Sequence, residues 1–305
     1  DQDFPSVAVA HDGSFIVAWT DYDSTGGDIY YRRFASDGSA LGAQTRANTS
    51  TAGVQSEAAI AIDQWGNFIV AWQSNSGGDT SVIARRFDAD GVALNGQTTI
   101  ASAAGIEITV PSISRAADGR YAIAWNNSGQ DGDGSGVYGR IYEADGSPIS
   151  SIFRLSTTTT GNQDNPEFAF LANGLVAAVW DSGSPDTVMT RVFNPDGSAV
   201  TGEIQVNQAT GGQRGLTGIA ADAQGGYLLT WVSNGQDGSD FGVYARRFSG
   251  GGVPLGNEFR VNSSTSADQM YPSVSSNRFG RFAITWEGSG SGDGQGIYFQ
   301  QYAED

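Results

Sequence analysis

Residues 131–136 read Asp-Gly-Asp-Gly-Ser-Gly, which places oxygen-bearing side chains at Asp131, Asp133 and Ser135 with glycines between them. Alternating oxygen ligands with a glycine at the bend are the first half of a calcium loop. An EF-hand would need a bidentate Glu at the twelfth position, and that position is Tyr142 with a strand-like run before it. Calcium at Asp131, Asp133 and Ser135 is therefore expected only in a loop of another type. Asp237, Asp240 and Asp23 occupy related loops and are weaker candidates for the same ion. Five arginines, Arg32, Arg85, Arg140, Arg191 and Arg246, recur at one place in the chain. Such a series could clamp sugars or carboxylates, but in a strand beside a tryptophan run it is expected to bind loop carbonyls or carboxylates between elements. A second position alternates to the other face (Arg33, Arg86, Ile141, Val192, Arg247, Gln301) and reads as variable surface.

Nucleophilic chemistry has little to work with. His11 is the only histidine and the chain has no cysteine. Thiol catalysis, disulfides and zinc–thiolate sites are excluded. Carboxylates are plentiful, but none stands in a positional signature of glycoside cleavage. The charge balance is 33 acidic residues against 16 basic ones, giving a net charge of −17. That argues against nucleic acid and against docking on an anionic membrane.

These residues sit in a repeat. Apolar runs ending in Trp19, Trp72, Trp125, Trp180, Trp231 and Trp286 ("FIVAW", "FIVAW", "YAIAW", "VAAVW", "YLLTW", "FAITW") recur about every 53 residues. A small-residue run precedes each, a run such as "VYARRF" follows, and a fourth such as "EFRVN" closes the unit five times. Short apolar or alternating runs rich in Val, Ile and aromatics predict strands. Pairs such as Asp12-Gly13 and Asp37-Gly38 predict two-residue hairpins between them. Six four-stranded antiparallel meanders predict an all-β, six-bladed β-propeller as a single domain over 1–305, with repeats at 1–53, 54–106, 107–161, 162–211, 212–266 and 267–305. The sixth repeat lacks a fourth run, so a strand upstream of residue 1 is expected to complete the last blade. The tryptophans are expected in the core; Trp65, in the turn "DQWGN", is expected to be exposed.

The repeat pattern, P-x-V-A-x-x-x-D-G-x-F-V-V-A-W followed by G-Q-D-G and G-V-Y-A-R-R-F, resembles repeats of large bacterial secreted or surface proteins that stand beside repeats-in-toxin or cadherin-like modules. The resemblance implies a bacterial protein at the cell surface or outside the cell, in a calcium-rich setting. Long polar loops, "NNSGQDGDGSG" and "VSNGQDGSDFG" among them, gather on one predicted face, and tight hairpins on the other. Aligned on the third-strand tyrosine, the loop acids do not recur: Asp23, Ser76, Asp131, Ser182, Asp237 and Ser291 share one position. No metal site can be common to all blades. The reading favoured by these features is a non-catalytic module for adhesion or surface assembly, binding protein or glycan on the long-loop face. The alternatives are a lectin with pockets between blades and a hydrolase or lyase using central carboxylates. An enzyme should break the repeat with charge in the first strands, where only Glu57, Arg115 and Glu167 do so.

Overall fold

A computed structural model describes residues 1–23, 26–103, 107–183, 186–277, 279–290 and 293–303. The fold is an all-β, six-bladed propeller, and no helix occurs among the described residues. Blade 1 runs Gln2–Val9, Phe15–Asp23, Gly26–Phe34 and Thr45–Arg46. Blade 2 runs Val54–Ile62, Phe68–Ser76, Asp79–Phe87 and Thr98–Ala103, and blade 3 Ile108–Arg115, Tyr121–Ser128, Ser135–Tyr142 and Phe153–Arg154. Blade 4 runs Gln163–Phe170, Val176–Gly183, Asp186–Phe193 and Ile204–Gln205. Blade 5 runs Arg214–Ala221, Tyr227–Asn234, Phe241–Phe248 and Phe259–Arg260. Blade 6 has three strands among the described residues, Gln269–Ser276, Phe282–Gly290 and Asp293–Tyr302. Each sheet follows chain order, as a meander requires.

Packing divides the chain into two compact units, Asp1–Gln130 with Gly139–Ile149, and Asp131–Tyr138 with Ser150–Asp305. In the first, Ile16, Ala18, Ile29 and Tyr31 of blade 1 meet Ile60, Phe68, Val70 and Trp72 of blade 2. In the second, Ala177, Val179 and Val188 of blade 4 meet Ile219, Tyr227, Leu229 and Trp231 of blade 5. Trp72, Trp125, Trp180 and Trp231 are at most 1 % exposed, which puts each in the core instead of on a sugar-binding surface. Burying an indole removes roughly 200 Å² from water, an upper estimate of about 5 kcal/mol each. Trp72 Nε1–H donates to Gln55 Oε1 (2.9 Å) and Trp286 Nε1–H to Gln269 Oε1 (3.0 Å).

The hairpins differ from the two-residue turns that the Asp-Gly pairs predict. Ala10 N–H bonds Ser14 C=O and Gly13 N–H bonds Ala10 C=O, so three residues span the turn with Gly13 left-handed at φ 86°. The same pair of bonds recurs in each first hairpin, for example at Asp63–Asn67 and Asp222–Gly226. Asp-Gly serves both geometries; here Asp12 Oδ1 caps Ser14 N–H at 2.9 Å, which favours the longer loop.

The recurring arginines bind carbonyls. Arg85 Nε–H reaches Asn95 O in its own blade and Nη1–H reaches Ala47 O in blade 1. Arg191 and Arg246 repeat this with Thr201 O and Leu155 O, and with Gly256 O and Val206 O. Arg32 Nε–H donates to Gly42 O, and Arg140 lies over the Tyr142 ring at 5.4 Å. The second arginine position, expected to be plain surface, also joins blades. Arg86 Nη1–H donates to Ala144 O of blade 3, and Arg247 lies over the Phe282 ring of blade 6 at 5.4 Å.

Candidate active site

Every described first strand carries a register shift one third of the way along. In five blades a non-glycine residue there is left-handed: Phe4, Glu57, Asn165, Leu216 and Tyr271, with φ between 50° and 57°. Such bulges re-aim side chains and cluster near functional sites. Glu57 is thus one of the bulge residues. Arg115 lies elsewhere, buried against Asp63 at 2.9 Å beside the first hairpins of blades 2 and 3.

Glu167 is the informative exception. It pairs with Val179 across the sheet, the position held by Ser6, Ala59, Ser112, Gly218 and Ser273 in the other blades. Its Oε2 accepts the Ile219 N–H of blade 5 at 3.2 Å. In blade 1, Ser6 Oγ accepts the equivalent Ile60 N–H at the same distance. The fold therefore asks only for an acceptor here, and a serine supplies it without a charge. Burial pushes the Glu167 carboxyl up to about 7, against the opposing hydrogen bond from Ile219.

Asp181 is the residue after Trp180, where the other blades carry Thr20, Gln73, Asn126, Val232 and Glu287. It stands two residues beyond Val179 on the strand that pairs with Glu167. Because strand side chains alternate, Glu167, Val179 and Asp181 share one face, the face that packs on blade 5. Diagonal neighbours of this kind have Cα atoms roughly 7–8 Å apart. Burial also pushes Asp181 up to about 7; the Asn165 amide at 2.9 Å lowers it and Asp164 raises it. Opposite, Gly215 leaves the space Asp181 fills: a Cβ there would come within 2.7 Å of Asp181 Oδ2. Thr217 Oγ1–H holds the Asn165 carbonyl at 2.8 Å and steadies the bulge that carries the amide. No cation figures among the groups that shift either carboxyl.

In the same unit, a cavity of about 340 Å³ lies against blade 6, lined by Asp268, Tyr271, Glu287 and Gln295. Tyr271 is the bulge residue of that blade and is 62 % exposed. Glu287 stands where Asp181 stands in blade 4.

The loop acids do not converge. Asp131 is enclosed, with Arg154 Nη1 at 3.9 Å and neither oxygen hydrogen-bonded. Asp133 Oδ2 accepts Gly161 N–H at 3.1 Å, and Ser135 Oγ–H donates to Asp164 Oδ1 at 2.6 Å. Asp237 accepts Ser239 N–H and the Asn262 amide, while Asp240 is exposed. The Asp23 side chain lies outside the described residues. Among the described residues no group of three or more His, Asp or Glu side chains is placed to hold a metal ion.

No family model and no curated protein matches the sequence. Solved structures do match the fold over nearly the whole chain. An α-L-arabinanase of Penicillium chrysogenum, solved with arabinobiose, has a TM-score of 0.66 at 11% identity, covering 99% of this chain and 93% of that one. An α-L-arabinofuranosidase of Fusarium graminearum, also with arabinobiose, has 0.61 at 10%, covering 98% and 92%. An ulvan lyase has 0.59 at 9%, covering 99% and 79%. These matches correct two expectations from the sequence, that the chain is a non-catalytic adhesion module and that it is not an enzyme. The architecture that suggested an inert module is the one these carbohydrate-cleaving enzymes use. Neither a loop motif nor a charged cluster at one point marks the pair in the sequence. The acids of interest instead stand singly in two neighbouring strands.

Proposed function

We propose that this protein cleaves glycosidic bonds by hydrolysis, with Glu167 and Asp181 as its acid–base pair. The observation that carries the reading is the pair itself. Two carboxyls on one face, absent from the equivalent places of most blades, are both held near 7. Near neutral pH one can give a proton to the leaving oxygen while the other, ionised, activates water or attacks carbon. A lyase would need a base and a partner to neutralise an acidic sugar; among the described residues no cation acts on the pair, so hydrolysis fits better. The fold-level likeness to arabinose-cleaving enzymes supports arabinan-type substrates as the first to try. Tyr271 and the blade 6 cavity would hold part of the chain by stacking and hydrogen bonds.

The test is reducing-sugar release from arabinan, arabinobiose and ulvan, with absorbance of unsaturated product read in parallel for elimination. Hydrolysis with a bell-shaped kcat/KM profile centred near pH 7 is expected, and Glu167→Gln and Asp181→Asn should each remove a limb. Activity untouched by both substitutions would sink the assignment.

The secreted-repeat resemblance supports work on glycans outside a bacterial cell. Calcium in the blade 3 loop is a separate proposal, supported by the enclosed Asp131 carboxyl without a hydrogen-bond donor. Binding would require Asp133 to release Gly161 and Ser135 to turn from Asp164. A melting midpoint that rises with calcium and falls with chelator is expected; an unchanged midpoint rejects the site.

A further inference from the structure

Blade 4 also sets two acids face to face. Just before the register shift of its first strand, Asp164 stands directly across from Asp181. In the other five blades the same rung holds at most one acid, as in Asp3 opposite Thr20 or Met270 opposite Glu287. Directly opposed residues have Cβ atoms roughly 4.5–5.5 Å apart on one face of the sheet, and like charges so placed repel each other. The ladder gives no reason for the second acid, since every other blade pairs without it.

That second acid is tied down from blade 3. Ser135, the buried first residue of that blade's third strand, donates its hydroxyl to Asp164 Oδ1 at 2.6 Å and its N–H to Asn162 Oδ1 at 3.2 Å. A hydroxyl–carboxylate bond this short is charge-assisted. The counterparts of Ser135 are Gly27, Thr80, Asp186, Phe241 and Gln295. The one other hydroxyl among them, Thr80 Oγ1, accepts the backbone Ile108 N–H instead. The tether therefore belongs to the blade that carries Glu167 and Asp181.

Among the described residues no cation balances Asp181. Asp164 and Glu167 share its face, Val188 lies across from it on the third strand, and Gly215 faces it from blade 5. Arg214, next to that glycine, binds the carbonyls of Asp186, Ala209, Gly211 and Gly212 with its guanidinium. A carboxyl with an acid opposite and no cation beside it holds its proton more firmly as pH rises. Asp181 Oδ2 takes the Asn165 amide, which leaves Oδ1 to carry that proton. Glu167, beyond the bulge, accepts the Ile219 N–H.

Resting on the reading of Glu167 and Asp181 as the acid–base pair, we propose that Asp164 is a third carboxyl of the site, held as its charged member by Ser135, and that it keeps the proton on Asp181. Asp181 is then the acid and Glu167 the base. Asp164 and Ser135 are positioning residues, since they act through Asp181. In the step so assigned, the Asp181 proton passes to the leaving oxygen as the C–O bond breaks. Water forms the new C–O bond and gives a proton to Glu167; one proton then returns from Glu167 to Asp181 through solvent.

The experiment follows the Asp181 carboxyl by carbon-13 NMR in aspartate-labelled protein, assigned with Asp181→Asn, beside the pH profile of kcat/KM on arabinobiose. Chelator is present throughout, so that Ser135 stays on Asp164. Asp164→Asn keeps an acceptor for Ser135 and removes the charge. It should lower the Asp181 midpoint by about one pH unit or more, the reach of one charge at this spacing, and move the alkaline limb of the profile equally. Ser135→Ala should shift both the same way by less, because an untethered Asp164 can take the proton itself, and Ser135→Thr should restore the parent values. A merely structural role would change activity at every pH without moving the limb. An Asp181 midpoint unmoved by Asp164→Asn, or a shift confined to the acid limb, overturns the proposal. If the parent cuts no sugar, the catalytic reading fails with its acid and base roles, and the NMR midpoint alone decides whether Asp164 holds the proton on Asp181.

Discussion

Glu167→Gln separates the cost of a buried charge from the chemistry that the charge performs. In an unfolded chain the glutamate titrates near 4.5, and in the folded protein burial holds it near 7. The folded state thus disfavours the ionised form. Relative stability from this group is present in full below pH 4.5, where both states carry the neutral acid, and is lost as pH rises through 7. The gap between about 7 and 4.5 corresponds to roughly 3 kcal/mol at about 1.36 kcal/mol per pH unit. Glu167 is half-buried and Ile219 N–H partly compensates its charge, so about 1–2 kcal/mol is the realistic share. Glutamine keeps the acceptor for Ile219 and removes the ionisation. At pH 8 the variant should be more stable than the parent by about 1–2 kcal/mol, a rise of a few degrees in Tm for a chain of this size. At pH 4.5 the two should melt together. Hydrolysis should fall by roughly 10²-fold or more, the usual loss with an acid–base group. The assay is a pair of melting curves at each pH beside reducing-sugar release. A stability difference equal at both pH values, or a less stable variant at pH 8, would show that the carboxylate carries no such penalty.

Three other substitutions test the surrounding design. Gly215→Ala would bring a methyl against Asp181 Oδ2, so kcat/KM should fall about 10- to 100-fold while Tm moves little, because a flexible side-chain end can give way. Gln55→Leu removes the acceptor of the buried Trp72 indole N–H and should destabilise by about 1–3 kcal/mol, read from chemical denaturation. Arg115→Met leaves Asp63 buried without its cation, although the Trp65 and Asn67 N–H groups remain on it; a loss of about 3–5 kcal/mol is expected by the same measurement.

The strands were legible because burial imposes a period. "FIVAW" and its relatives are apolar throughout, and Val70, Ala71 and Trp72 are indeed sealed on both faces. Turn type was less legible, since Asp12-Gly13 suits two hairpin geometries and the choice rests on one capping bond. The role of the second arginine was hidden for a different reason. Arg86 reaches Ala144, some 58 residues away in sequence, and no local pattern announces such a partner. Glu167 stood out in the sequence as a charge among small residues. Its partner did not, because Asp181 comes beside it only through the strand register and the bulge at Asn165. Gly215, which makes room for that carboxylate, looked like one small residue among many.

A repeated fold carries its own control experiment. What the architecture needs at a position is shown by the copies that share it, and what one copy adds must answer to something else. Tryptophan within the second strand recurs in all six blades, so it is packing. Acceptance of the next blade's N–H recurs in part, as Ser6 and as Glu167, so the acceptor is packing and the carboxyl is not. Departures carry most weight when they coincide. Glu167 and Asp181 differ from most of their counterparts, touch blade 5 at Ile219 and Gly215, and are both held near 7. Isolated drift in a surface loop has no reason to place two costly carboxyls side by side and then clear space for one of them. The acid–base role proposed for the pair would.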